Sequence, residues 1–249
     1  MAAKGATPKA CLLNFAPHKN VSEDWIAAFA QQVEVALKTY HIQLLGGDTV
    51  AAPDKAMFSL TLMGEVATGG MIQRAGAKIG DDIFVTGTIG HGFIGLEDAK
   101  AGRLSPCRDL FEHPQPPLDF ALAAAHYMSA AVDVSDGLLA DLGHVCDASV
   151  CGMQIDMTAI PFADPAYEDL MTQLNGGDDY QLAFTAPSEN HGKLKQFAAD
   201  QSIQLTKIGH IINRSELVLQ DSDGATLKIL STGTSSVLKS GFSHFGIKK

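Results

Sequence analysis

The sequence predicts an α/β (α+β) chain of two units, on three observations. Runs with strand periodicity and runs with helical periodicity follow one another in mixed order. A break in pattern near residues 75–80 separates an N-terminal group of elements, 1–75, from a longer C-terminal group, 76–249, expected to form a mixed sheet flanked by helices. At 249 residues the chain is long enough to bury a core in each.

The elements follow in order. ACLLNFA (10–16) reads as a buried strand. A helix is expected from about Ser22 to Tyr40, because Trp25, Phe29, Val33 and Leu37 share one face. Trp25, the single tryptophan, is expected in the core. HIQLLGGDTV (41–50) is a strand running into Gly46-Gly47-Asp48-Thr49, and MFSLTLMGEV (57–66) alternates Phe58, Leu60 and Leu62 on one side. DDIFVTGTIG (81–90) opens the second unit, followed by a helix from His91 to Lys100 and a proline-rich loop, Pro106–Pro117. AAVDVSDGLLADLG (130–143) is a strand-to-helix corner, with Leu138, Leu139 and Leu142 on the apolar side of the helix. MQIDM (153–157) is a strand, then comes a polar helix, and GGDD (176–179) leads into the strand YQLAFTA (180–186). Ser188 is expected to cap a helix ending near Asp200, and 206–230 reads as strands with a hairpin at Asp221–Gly224.

Composition narrows the class. A hydrophobic share of 46% and a charged share of 18% are those of an ordinary globular protein rather than a disordered one. The formal net charge of -10 argues against a surface that grips nucleic-acid backbone. Cys11, Cys107, Cys146 and Cys151 show no CxxC spacing, and no secretory leader or membrane-length apolar run is present, so a cytoplasmic protein with reduced thiols is expected.

Three acidic clusters stand at predicted strand ends: GGDT (46–49), DVSD (133–136) and GGDD (176–179). Glycines let backbone N–H groups approach phosphate oxygens, and a neighbouring aspartate can hold a magnesium ion bound to those oxygens. Any one cluster alone reads more readily as a turn, and the carboxylates of DVSD also as helix caps. Their recurrence points to a polyphosphate site. There is no GxxxxGK[ST], HExxH or GxSxG. A GxGxxG does occur at Gly90–Gly95, opening a helix after a strand, yet the acidic strand end that a dinucleotide site requires is replaced by Pro114, Pro116 and Pro117. The nine histidines lack zinc-ligand spacing, and His144 is expected on a helix face rather than as a ligand.

The ordered series LLGGDT, RAGAKIGDDIFVTGTIG, VDVSDGLLADLGHV, IPF (160–162), GGDDYQLAFT and the terminal GFSHF resembles the thiamine-monophosphate kinase family of the aminoimidazole ribonucleotide synthetase-like superfamily. The resemblance runs along nearly the whole chain and implies that superfamily's two-domain fold. It implies ATP- and Mg2+-dependent phosphorylation of thiamine monophosphate to thiamine diphosphate by a cytoplasmic homodimer. Residue by residue, it places ATP contacts at Gly47, Asp48, Arg74 and Ser135, magnesium ligands at Asp48, Asp133 and Asp136, and a thiamine-substrate contact at Asp178, where the family commonly has Glu. No side chain is expected to act as general base, since phosphoryl transfer depends on positioning and charge neutralisation.

Departures from the family pattern shape the expectation. Met1-Ala2-Ala3-Lys4-Gly5-Ala6 resembles the end of an Asp-Leu-Ala-Ala-Met-Gly-Ala stretch that normally follows further metal-binding clusters. This predicts an N-terminally truncated chain, an incomplete N-terminal domain with an exposed sheet edge, and weak or absent turnover. Pro117 stands where arginine is common, and the aromatic substrate contact usual near the C-terminus has Phe242 as its candidate. A catalytically inactive nucleotide-binding or partner-complementing fragment is the alternative, and a superfamily enzyme acting on another small molecule is a third reading.

Overall fold

The structure, a computed structural model, describes residues 1–52 and 55–231. Contacts divide the chain into one unit of Met1 and Ala6–Gly69 and another of Ala2–Gly5 and the chain from Gly70 onward. The division falls a few residues before the 75/76 boundary read from the pattern. Ile72 already packs with Ala3 and Phe84 in the second unit's core, and the Ala131 N–H donates to the Gln73 carbonyl.

The first unit is a three-stranded sheet with one helix. β1 (Thr7–Ala16) lies between β2 (Gln43–Thr49), to which it is parallel, and β3 (Met57–Glu65), to which it is antiparallel. α1 (Glu23–Thr39) starts where Ser22 Oγ accepts from the Trp25 N–H at 3.2 Å, satisfying a free helix donor. The rings of Phe15, Trp25, Phe29 and Phe58 gather between helix and sheet with centroids 5.0–6.3 Å apart. Trp25 is nevertheless 44% exposed, which corrects the expectation of a core tryptophan. One helix cannot cover three strands: α1 has no fully buried residue, and a cavity of about 410 Å³ remains between it and the sheet, lined by Phe29, Val33, Leu37, Leu13 and Leu60.

Among the described residues the second unit is built on seven strands: β4 (Asp82–Thr86), β5 (Ala130–Asp133), β6 (Gly152–Asp156), β7 (Leu182–Ala186), β8 (Leu205–Ile212), β9 (Glu216–Gln220) and β10 (Thr226–Ser231). Their order is β10-β9-β6-β8-β4-β7-β5, antiparallel throughout except for β6 with β9. Alternation along each strand feeds two cores. Ile83, Val85, Val132 and Ala183 face α5 (Leu138–Ser149) and Leu174 of α6 (Leu170–Asn175), whereas Phe84, Ala131 and Phe184 face Phe120 of α4 (Leu118–Ala124) and Leu194 of α7 (His191–Asp200). A sheet buried on both faces explains why Ile83–Val85 and Ala130–Val132 are unbroken apolar runs. At the β9–β10 turn, Asp221 Oδ1 accepts from the N–H groups of Asp223 and Ala225.

Two local expectations are overturned. The Pro106–Pro117 stretch is not all loop, because α3 (Pro106–Glu112) occupies most of it. Pro106 sits in the first helical turn, where a missing N–H costs nothing, and Ser105 Oγ accepts from the Arg108 N–H at 3.0 Å. Ser188 opens a three-residue turn, not α7, and its hydroxyl donates to the Gly80 carbonyl instead of capping the helix. The four cysteines form no disulfide, and among the described residues no helix is long and apolar enough to cross a membrane.

Candidate functional site

The corner at 133–137 lies at the C-terminal end of β5 and the start of α5. Leu138, Leu139 and Leu142 bury that helix against the sheet and fix where it begins. The turn is shaped from inside by Asp141, 1% exposed, whose Oδ2 accepts from the backbone N–H groups of Ser135 at 2.9 Å and Asp136 at 3.0 Å. Burial pushes the Asp141 carboxyl up to about 7, helped by the neighbouring Asp136 and Asp133 charges and opposed by those two N–H groups. With its backbone tied inward, the corner turns Asp133 outward to solvent and leaves Ser135 and Asp136 half-buried.

The glycine loop is joined directly to this corner. The Asp178 N–H donates to the Ser135 carbonyl at 3.0 Å and the Tyr180 N–H to the Val134 carbonyl at 2.8 Å. Gly177 makes this possible, since at φ +72° a Cβ there would stand 2.4 Å from the Ser135 oxygen. Asp178 and Tyr180 both hold positive φ, 58° and 49°, a region costly for residues with side chains. The Tyr180 hydroxyl donates to Asp178 Oδ1 at 3.0 Å, and burial pushes the Tyr180 phenol up to about 12, with Asp178 adding to the shift.

The second aspartate of GGDD turns inward. Asp179, 1% exposed, accepts from the Gly90 N–H at 2.9–3.0 Å and the Gly92 N–H at 2.9 Å at the start of α2 (His91–Lys100). Burial pushes its carboxyl up to about 6, while the Gly92 and Gly90 N–H groups and His91 pull the other way. This accounts for the GxGxxG run without a nucleotide. The free N–H groups of a helix start attract an anion, and here the anion belongs to the protein itself. Gly92 lets loop carbonyls approach, its absent Cβ lying 2.5 Å from the Gly177 and Asp178 oxygens, and Gly95 does the same for α3 at the Cys107 carbonyl.

Lys4 and Arg74 add positive charge. The Lys4 ammonium is held below its ordinary value by burial and by the nearby Arg74 guanidinium, against the opposing pull of Asp133, so both cations lie within electrostatic reach of one another and Lys4 within reach of the corner. The donor chemistry of the corner fits a magnesium ion: a hard cation takes oxygen ligands, and the Asp133 and Asp136 carboxylates make no hydrogen bond or ion pair among the described residues. Asp136, Asp141 and His144 also bring possible ligand atoms within 4.8 Å of one another, so His144 is nearer the corner than its helix-face reading implied.

Of the residues singled out from sequence, Asp133, Ser135, Asp136 and Asp178 are brought together in the second unit, and Arg74 belongs to the same unit. Gly47 and Asp48 lie in the first unit, within β2 and not in a turn after it. Gly47 pairs with Leu13 so closely that a Cβ would stand 1.7 Å from the Leu13 oxygen, and Asp48 Oδ1 accepts from the Thr49 N–H at 2.8 Å. Phe242 lies outside the described residues. Sequence reasoning missed Asp141, whose signal is a carboxylate inside the apolar run LLADLG, and Asp179, hidden as the second member of a pair.

Residues 1–66 match the family of the AIR synthase related protein, N-terminal domain, and residues 78–222 that of the AIR synthase related protein, C-terminal domain. The chain is 36% identical over 225 residues to the thiamine-monophosphate kinase of Salmonella typhimurium, covering 85% of this chain and 68% of that protein. It is 34% identical, with a TM-score of 0.82, to the crystal structure of thiamine-monophosphate kinase from Stenotrophomonas maltophilia K279a, over 90% of this chain and 74% of that one. The structure of "AaThiL complexed with AMPPCP and TMP" is similar at 25% identity and a TM-score of 0.79, over 91% of this chain and 74% of that one.

Proposed function

The chain belongs to the thiamine-monophosphate kinase family, and from that premise we propose that it transfers the γ-phosphoryl group of ATP to the phosphate of thiamine monophosphate, giving thiamine diphosphate and ADP. The observation that carries the reading is the backbone union of the Asp133–Asp136 corner with the Gly176–Tyr180 loop, which puts two unpaired carboxylates next to the loop that carries Asp178.

In this reading Asp133 and Asp136 would hold Mg2+, and Arg74 and Ser135 contact ATP. Bound there, the metal supplies charge neutralisation for the phosphate oxygens. Arg74, with its planar fork of donors, suits a terminal phosphate, and Lys4 adds a second positive charge nearby. Asp178 orients thiamine monophosphate, its carboxylate steadied by the Tyr180 hydroxyl. The acceptor phosphate oxygen is already anionic at neutral pH, so no side chain has to remove a proton. The protein acts as a cytoplasmic homodimer; the apolar side chains that the first unit leaves exposed, among them Leu44, Leu45, Met57 and Leu60, support self-association.

The test is a direct assay of thiamine diphosphate formed from ATP, Mg2+ and thiamine monophosphate. A folded chain that makes no thiamine diphosphate and binds neither substrate would overturn the reading.

A further inference from the structure

The loop 176–180 carries two residues in strained backbone conformations, and something must hold them there. Strain of this kind persists only where the surroundings over-determine it. Three anchors act on the loop. Two are the main-chain bonds from Asp178 and Tyr180 to the corner, which most side chains at those positions would permit. The third depends on one side chain: the Asp179 carboxylate, seated between the two strained residues, grips the Gly90 and Gly92 N–H groups.

We propose that Asp179 is a positioning residue for the reaction, its carboxylate fastening the loop to the first turn of α2 so that Asp178 and Tyr180 keep their places beside the Asp133–Asp136 corner. The inference rests on the reading of Asp178 as the substrate contact. Several features converge on it. The helix start offers free N–H groups and the positive end of the α2 dipole, so it holds a carboxylate firmly. His91, itself buried, closes one side: its Nδ1–H donates to the Thr88 carbonyl at 3.0 Å and lies 3.4 Å from Asp179 Oδ1. From the other side Gly92 brings α2 within touching distance of the Asp178 carbonyl. Asp179 is fully buried in this arrangement and works through Asp178, with no contact of its own to substrate.

The test compares the unaltered chain with Asp179→Ala and Asp179→Asn. The asparagine retains one oxygen that can accept from both glycine N–H groups but carries no charge. Steady-state kinetics are measured against each substrate, well below each variant's melting temperature. Asp179→Ala should raise KM for thiamine monophosphate by roughly tenfold or more while KM for ATP stays within about threefold, and Asp179→Asn should recover part of the loss. A general structural role would instead lower the active fraction and leave both KM values unchanged. That result, or a KM for thiamine monophosphate unmoved in both variants, would overturn the proposal. Should the alanine variant not fold, amide exchange on the unaltered chain decides. Addition of thiamine monophosphate should slow exchange at Gly90 and Gly92 together with Asp178 and Tyr180, and unchanged Gly90 and Gly92 amides would sink the idea. An unaltered chain that neither binds nor converts thiamine monophosphate would overturn the functional reading itself, an outcome distinct from selective silence of the variants.

Discussion

Asp133 and Asp136 differ from Asp141 and Asp179 in what meets their oxygens. The first two have no hydrogen-bonding partner among the described residues, whereas the second two are consumed by backbone N–H groups. Asp133→Asn or Asp136→Asn should therefore lower turnover by roughly 100-fold, as loss of one charge-stabilising group does, with little change in melting temperature; kinetics and thermal unfolding on the same samples check this. Asp179 gives a pH prediction. Its carboxyl sits at about 6 in the folded protein, above the ordinary carboxylate value, so the folded state holds its proton more tightly than the unfolded chain. This contribution is present below about pH 4 and is lost as pH rises to about 6. Urea unfolding at the two ends of that window should show the unaltered chain losing more stability with rising pH than Asp179→Asn, and parallel losses would contradict it. The shared corner of Asp133 and Asp136 was legible because they cluster in sequence. Asp179 was not, because its partners stand 87 and 89 residues away.

At the scale of elements, long segments with clear periodicity read correctly. α1 and α2 fall where they were expected, and β3 and the β9–β10 hairpin follow from alternation and turn chemistry, whereas β1, expected as a buried strand, is buried at only three of its ten residues because one helix covers its sheet. Short helices did not, since α3 and α4 offer too few turns for a period to emerge and prolines mask their starts. Ser188 misled because a capping residue also serves a turn, and here its hydroxyl found the Gly80 carbonyl first. Trp25 misled because burial depends on what else the fold supplies, which the helix pattern does not contain. The junction of loop and corner yields its own prediction. Gly177→Ala forces a side chain into positive φ and against the Ser135 oxygen, and should cost about 1–3 kcal/mol in urea unfolding. Phe84→Ala, which empties a fully buried site facing Phe120 and Phe184, should cost about 3–5 kcal/mol.

For the whole molecule, the two-unit division and the mixed sheets were visible in the sequence, while the order β10-β9-β6-β8-β4-β7-β5 was not, because strand order depends on pairings far apart in the chain. Two predictions belong here. Chelation of divalent metal by EDTA should abolish thiamine diphosphate formation, with recovery on adding Mg2+ and no change in far-ultraviolet circular dichroism, since the carboxylates of the corner lie outside both cores. Sedimentation velocity over a range of concentrations should show association into dimers, and a strictly monomeric chain at all concentrations would remove that part of the reading. The proposed metal-binding corner hangs from β5, a strand of only four residues at the end of the sheet, paired along one side with β7 and touched on the other by the Gln73 carbonyl. Because neighbouring residues of a strand point to opposite faces, a slip of one step between β5 and β7 would exchange the two cores that Ala131 and Val132 serve and carry Asp133 to the other face with them. Mutational tolerance along β7 should accordingly be narrower for catalysis than for folding: a replacement there that the core can absorb still moves the carboxylates, so losses of activity would accumulate before losses of structure.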